Sequence, residues 1–115
     1  MPATPAVTRK DLLTALIPAG LAISRVEIKD VLMGPKQPAP LHLHPCPVVG
    51  VVTQGTIAFQ IEGQAVQYLH TGQAFYEPAN ARVARFDNDG EEPARFVAFY
   101  LLAAGQDELI RVLDS

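Results

Sequence analysis

The sequence predicts an all-β protein, a sandwich or barrel of short antiparallel strands that is preceded along the chain by a short N-terminal helix. Apolar and polar residues alternate with a period of two over most of residues 23–102, as they do in half-buried strands. Glycine, proline, asparagine and aspartate interrupt this alternation at short intervals, which is typical of turns between antiparallel strands. The sequence contains neither an internal repeat nor a low-complexity segment.

The first 22 residues are predicted to hold an N-terminal arm and one short helix. Residues 1–7 contain two prolines and are interpreted as a loose arm. Thr8 is a candidate helix cap, and the leucines and isoleucine between residues 12 and 17 fall on one helical face. Pro18 and Gly20 end this pattern, so the helix is predicted over residues 9–16.

Residues 23–102 are predicted to form the barrel. The cleanest alternation covers residues 56–62, where Ile57, Phe59 and Ile61 share one face and a hairpin turn follows at Gly63. Besides a short strand that carries two histidines, the predicted strands are 23–32, 48–53, 56–62, 65–69, 74–77, 83–86 and 95–102.

Residues 103–115 are interpreted as a C-terminal tail. Its apolar residues between 107 and 113 suit a short helix and an edge strand equally well. Because a chain end with this apolar content needs cover, the tail is predicted to pack on the barrel or on a partner subunit.

Composition excludes several classes of protein. A chain of 115 residues is long enough for one domain, and 49% hydrophobic with 18% charged residues excludes a disordered chain. A net charge of −3 gives no electrostatic basis for binding nucleic acid or an anionic membrane. No apolar run approaches the roughly 20 residues of a membrane helix. The single cysteine, Cys46, excludes an internal disulfide, so a cytoplasmic location is expected.

Two histidines, His42 and His44, are the strongest candidates for a functional site. Residues two apart project from the same face of a strand, so both imidazoles can point at one place, which a helix would not allow. Imidazole is the commonest protein ligand for transition metals. The pair is therefore predicted to be half of a metal site, since a bound ion normally needs three or four protein donors.

The sequence around this pair matches, in part, two motifs of a known protein family. The first is a glycine, a loop, His-x-His, a glutamate and a second glycine. It is matched by Gly34, His42, His44 and Gly55. The second is a glycine, a proline followed by x-glycine, a histidine and an asparagine. It is matched by Gly72 and Pro78, with Asn80 in place of the glycine and Asp87 in place of the asparagine.

On these motifs, which cover roughly residues 25–102, the chain resembles a small single-domain cupin. The resemblance implies a double-stranded β-helix, or jelly-roll barrel. Asn80 is a reasonable substitute for the glycine, because asparagine tolerates left-handed turn geometry.

The chain departs from the family pattern at the metal. Val48 stands at the position of the family's glutamate, and Val83 stands at the position of its second-motif histidine. Valine cannot donate to a metal. The resemblance therefore implies a degenerate site in which His42 and His44 bind zinc, nickel, iron or manganese weakly.

No other histidine, cysteine or carboxylate occupies a metal-ligand position of the two motifs. Glu62 and Glu77 lie at predicted turns and are expected in solvent rather than in a site. Cys46, between two prolines, is interpreted as a small loop residue, since no neighbouring cation in sequence would activate its thiol.

Four further residues are predicted to bind a small-molecule ligand. Gln60, Tyr68 and Tyr76 would offer hydrogen bonds from the walls of an interior pocket, and Arg82 would bind an acidic group. The alternative for each is a place on the surface, because strand parity alone does not tell the barrel interior from its exterior.

Three functions follow from the sequence. The first is a cupin-like module that binds a small carbonyl- or carboxylate-bearing molecule. The second, implied by the resemblance, is a metal-dependent dioxygenase, isomerase or decarboxylase that uses His42 and His44. The third is a structural or regulatory dimer. A homodimer is expected in any case, because residues 95–102 are apolar on both faces and a lone sandwich strand needs only one apolar face.

Overall fold

A computed structural model of the protein describes residues 6–114, and within that range it shows nine β-strands in two antiparallel sheets. The strands are β1 Arg25–Met33, β2 His42–Leu43, β3 Val48–Gln54, β4 Thr56–Ile61, β5 Gln67–His70, β6 Ala74–Glu77, β7 Val83–Asp87, β8 Ala94–Leu102 and β9 Arg111–Val112. One sheet has the strand order β1-β8-β3-β6 and the other has the order β5-β4-β7-β2-β9. The predicted all-β jelly roll is confirmed. No helix that could cross a bilayer occurs among residues 6–114.

The core lies between the two sheets. Four phenylalanines, Phe59, Phe75, Phe86 and Phe96, pack edge-on against one another, with the rings of Phe86 and Phe96 only 4.8 Å apart. Such tilted pairs are favoured over stacked ones by the aromatic quadrupole. The strand with the cleanest alternation contributes Ile57 and Phe59, and both are buried. The face that the period-two pattern assigns to Ile57 and Phe59 is thus the one that packs in the core.

The predicted short helix at residues 9–16 is wrong. The structure shows these residues without helical turns, and Leu12, Leu13 and Leu16 are all substantially exposed. An isolated helix of about two turns is unstable in water unless it buries an apolar face. Here the segment forms neither helix nor strand and lies over β3, β6 and β8, where the Tyr76 hydroxyl donates to the Leu16 carbonyl at 3.4 Å. Most of the predicted arm, residues 1–7, lies outside the described residues.

The C-terminal tail adds the strand β9 to the edge of the second sheet. Val112 pairs with His42 and Arg111 with Leu43, and the Leu113 amide donates to the Leu41 carbonyl at 2.9 Å. Of the two conformations that the sequence leaves open, the structure therefore shows the strand.

The turn before β7 is held against the histidine strand. Asn80 adopts a φ of 65°, the left-handed geometry for which glycine is usually selected. The backbone amide of Asn80 donates to the His44 carbonyl at 2.8 Å. The substitution of asparagine for the motif glycine thus keeps both the turn and its contact with the site.

The strand β8 has two apolar faces, and they meet different surroundings. Phe96, Ala98 and Tyr100 point between the sheets, while Val97, Phe99 and Leu101 point outward. Part of the outward face is covered by the N-terminal segment through residues 12–17. Beside it, the outward residues of β1 remain open, and Ile28 is 61% exposed.

We expect this open face to pair with a second copy of the chain, because contiguous exposed apolar surface favours association. The homodimer stays a prediction, and sedimentation at micromolar concentration checks it. Ile28→Asp should shift the protein towards monomer by placing a charge at the contact. A wild-type protein that sediments as a monomer would contradict the pairing.

Candidate metal centre

Two histidines lie at the inner face of the short strand β2 and just beyond it. His42 is 4% exposed and His44 is 6% exposed, and their rings stand 5.0 Å apart and nearly perpendicular. Both rings use Nδ1 for a backbone contact: His42 Nδ1 lies 2.7 Å from the Pro40 carbonyl oxygen, and His44 Nδ1 lies 2.7 Å from the Leu109 carbonyl oxygen. A carbonyl only accepts, so each Nδ1 carries the proton and each Nε2 is free for another partner.

A third donor comes from the neighbouring sheet. Glu77 is the last residue of β6, is 3% exposed, and places Oε2 at 2.7 Å from His44 Nε2. Burial alternates along β6, so that Phe75 and Glu77 face inward while Ala74 and Tyr76 face outward. The same alternation that puts Phe75 into the core therefore turns this carboxylate towards the histidines.

The contact between Glu77 and His44 leaves a buried oxygen without a hydrogen bond. When Nδ1 of His44 carries the proton for the Leu109 carbonyl, the neutral ring presents a lone pair to Glu77 Oε2. Among the described residues, Oε2 then has no hydrogen-bond partner. An unsatisfied buried acceptor costs about 1–3 kcal/mol. Either a second proton on His44 or a cation between the two atoms removes that cost.

The pKa of His44 favours the first of these two solutions, a second proton on its ring. Burial opposes a positive charge on the ring. Hydrogen bonding to Glu77, the charge of that carboxylate and the Leu109 carbonyl together outweigh burial and raise the pKa of His44. Nearby, burial reinforced by the Glu77 charge raises the pKa of the Tyr100 phenol, so this hydroxyl stays protonated at neutral pH.

His42, His44 and Glu77 could together hold a metal ion. Each offers one donor atom, and the three atoms all lie within 4.8 Å of one another. Two imidazoles and one carboxylate form a donor set that suits iron and zinc, with nickel and manganese also compatible. The 2.7 Å contact between Glu77 Oε2 and His44 Nε2, which needs either a proton or a cation, fits such a site. The three residues therefore fit a divalent metal.

The donors lie at the wall of a cavity of about 230 Å³ between the two sheets. Most of the other walls are apolar, with Val31, Phe75, Phe86 and Phe96 on the barrel side and Ile110 from the C-terminal tail. Tyr100 also lines it, with its ring 5.7 Å from that of His44. The site thus combines a polar wall with a largely hydrocarbon interior.

The two valines at the family's ligand positions are both next to this site. Val48 lines the cavity, and its partners in the sheet are Glu77 on one side and Tyr100 on the other. Val83 is fully buried and pairs with His42. Directly opposed residues of an antiparallel pair have Cβ atoms about 4.5–5.5 Å apart. A carboxylate at position 77 can therefore serve in place of one at position 48.

The interpretation of Glu77 as a solvated turn residue is wrong, and so is the conclusion that the histidines lack a carboxylate. Counting along the motif tests only position 48, whereas the replacement comes from β6, the neighbouring strand in the sheet, 29 positions later. The spacing of Phe75 and Glu77 on one face of a strand was the available signal. This spacing identifies Glu77 as a donor only once the β3–β6 register is known, and the register cannot be deduced from the sequence.

The four residues predicted to bind a ligand lie away from the cavity. Gln60 Nε2 donates to the Gln64 carbonyl, and Arg82 forms a surface ion pair with Glu62. Tyr68 is 57% exposed, and Tyr76 faces the N-terminal segment. Their part in ligand binding stays a prediction, and it would concern a place other than this cavity.

Comparison with known proteins supports the fold. A cupin-like protein of Thermotoga maritima is similar with a TM-score of 0.67 and 20% identity, over 78% of this chain and 65% of that one. DMSP lyase DddQ of Ruegeria pomeroyi gives 0.65 and 16%, over 76% and 42%. An oxalate oxidase in complex with glycolate gives 0.65 and 23%, over 76% and 46%. This chain spans less than two thirds of each of these proteins, and at such identities the likeness is one of fold. No curated protein matches the chain.

The sequence family is shown directly. The family model described as "Cupin domain" matches residues 30–100, which is more than half of the chain and contains His42, His44 and Glu77. Together with the two-sheet jelly roll, this match means that the chain belongs to the cupin superfamily.

Proposed function

We propose that this protein is a divalent-metal-dependent enzyme whose metal is held by His42, His44 and Glu77. The observation that carries the proposal is a set of three buried donors whose ligand atoms all lie within 4.8 Å of one another. Structural metal sites are normally closed by four protein ligands, whereas catalytic sites keep a position for water or substrate. Three donors beside a cavity correspond to the second kind.

The residues around the centre have distinct roles in this proposal. His42 and His44 would bind through Nε2, because each Nδ1 is held by a backbone carbonyl. Glu77 would supply an anionic oxygen. The metal, when bound, supplies a Lewis acid or a redox centre next to the substrate. Apolar side chains line most of the rest of the cavity, and Tyr100 provides a neutral hydrogen-bond donor beside the centre.

Metal titration tests the proposal. Protein purified without an affinity tag and stripped with chelator is expected to take up one equivalent of Zn²⁺, or of Fe²⁺ without oxygen. The double substitution of His42 and His44 by alanine should abolish that uptake. His70→Ala is the matched control, because His70 is exposed on β5 and contacts Thr56. Uptake no greater than that of the double variant would refute the enzyme.

A module that binds small molecules without a metal is the second candidate. It is favoured by the apolar character of the cavity, which would accept a ligand with or without an ion. Ligand binding by protein that takes up no metal would select it. We also infer a cytoplasmic location, because the sole cysteine, Cys46, is a buried free thiol.

A further inference from the structure

We propose that the cavity takes a small ligand with a single negative charge, whose anionic oxygen binds the metal and whose remaining part is apolar. The inference rests on the proposed metal centre and adds the chemical class of the ligand. It follows from a count of charges at the centre and from the residues that line the rest of the cavity.

The charge count selects a monoanion. A divalent ion with one carboxylate, Glu77, and two neutral imidazoles leaves a net charge of +1 in a buried place. A net charge away from water is costly unless an opposite charge is adjacent. One carboxylate or enolate oxygen group on the ligand makes the centre neutral.

A ligand with a second negative charge would find no partner for it. Among the cavity-lining residues of the described chain there is neither a lysine nor an arginine. The second anionic group would therefore be buried without compensation, or would have to extend out of the cavity. Dicarboxylates and phosphate esters are disfavoured on this ground.

The walls select an apolar body. The ligand would contact the rings of Phe75, Phe86 and Phe96, together with the side chains of Val31 and Ala98. Apart from the three metal donors, Tyr100 provides the polar side chain at the cavity. A ligand rich in hydroxyl groups would lose hydrogen bonds to water without regaining them. A volume of about 230 Å³ is below the roughly 300–1,000 Å³ of drug-sized pockets, so the body is small.

Three probes of similar size separate these properties. Zinc-loaded protein is titrated calorimetrically with benzoate, with benzamide, which has the same shape but no charge, and with succinate, which has two charges. Benzoate is expected to bind at least about 10-fold more tightly than either, a difference of about 1.4 kcal/mol. Succinate binding as tightly as benzoate would overturn the single charge. Benzamide binding as tightly would overturn the need for an anion.

A lysine at the open edge of the cavity should change the preference. Ile110 lines the cavity from the C-terminal tail and is half exposed, so Ile110→Lys can place an ammonium at the cavity without burying it fully. The ratio of succinate to benzoate affinity is expected to rise at least about 10-fold. Leu16→Lys is the control, since Leu16 is 82% exposed on the N-terminal segment. An equal ratio in both variants would contradict the assignment of the cavity as the ligand site.

The zinc stoichiometry, measured first, keeps the two proposals apart. Protein that takes up neither Zn²⁺ nor Fe²⁺ contradicts the proposed function and this inference with it. Protein that binds one zinc and shows no preference for benzoate contradicts the ligand class alone.

Discussion

Replacing Glu77 by glutamine is expected to weaken metal binding more than 100-fold and, at a pH above the raised pKa of His44, where its ring is neutral, to stabilise the metal-free protein. The loss follows from removing the one anionic donor, since changes merely next to a metal ligand already cost about 10–100-fold. The gain in stability follows because Glu77 Oε2 has no hydrogen-bond donor when His44 is neutral. A glutamine amide can donate to the lone pair on His44 Nε2, so both atoms acquire a partner. The gain should be about 1–2 kcal/mol.

Zinc affinity by chelator competition and thermal unfolding of the metal-free protein measure the two effects. Glu62→Gln is the control, because Glu62 is half exposed and its ion pair with Arg82 lies on the surface. That variant should change the free energy of unfolding by no more than about 0.5 kcal/mol and leave zinc binding intact. If Glu77→Gln kept its zinc and lost stability, Glu77 would be a structural partner of protonated His44.

The strands were predictable because their signals are local. Alternation within residues 56–62 predicted a strand with Ile57 and Phe59 on one face, and the structure has β4 at Thr56–Ile61 with both residues buried. Turn residues marked most strand ends to within about two positions. The register and order of the strands depend on pairings between distant segments, such as β1 with β8, and no periodicity reports those.

The prediction of a helix at residues 9–16 was wrong for a related reason. Residues 12–17 carry a helical apolar pattern, but the pattern states only that one face prefers to be buried. In the structure the same side chains lie along the outside of β3 and β8, in a segment with neither helix nor strand. Tertiary contact overrode a weak local preference, as it commonly does for a segment of two turns.

The metal centre was half predictable. His42 and His44 were found because two residues on one strand face are visible in the sequence. Glu77 was missed because its place opposite Val48 is a property of the β3–β6 register. The motif position that lost its carboxylate and the strand that supplies one are neighbours in space and far apart along the chain.

Ending the chain at Gly105 is expected to weaken zinc binding about 10–100-fold, although none of the three proposed ligands is removed. The deleted residues carry the Leu109 carbonyl that accepts from His44 Nδ1 at 2.7 Å. They also carry β9, which pairs with His42 through Val112. In the described chain, the two-residue strand β2 has only β7 and β9 as neighbours, with one pairing to β7. Without the tail, His44 loses the contact that fixes its proton on Nδ1, and β2 becomes a free edge.

A milder change separates this effect from general unfolding. Leu113→Pro removes the amide that donates to the Leu41 carbonyl, whereas Leu113→Ala keeps that amide. The proline variant should lose zinc affinity relative to the alanine variant at equal far-ultraviolet circular dichroism. In nitrogen-15 spectra of metal-free protein, the His44 Nδ1 proton should exchange slowly in the Leu113→Ala variant. It should exchange rapidly in the Leu113→Pro variant and in the chain that ends at Gly105. Wild-type zinc affinity in both the truncated and the proline variant would show that the tail only covers the barrel and does not orient His44.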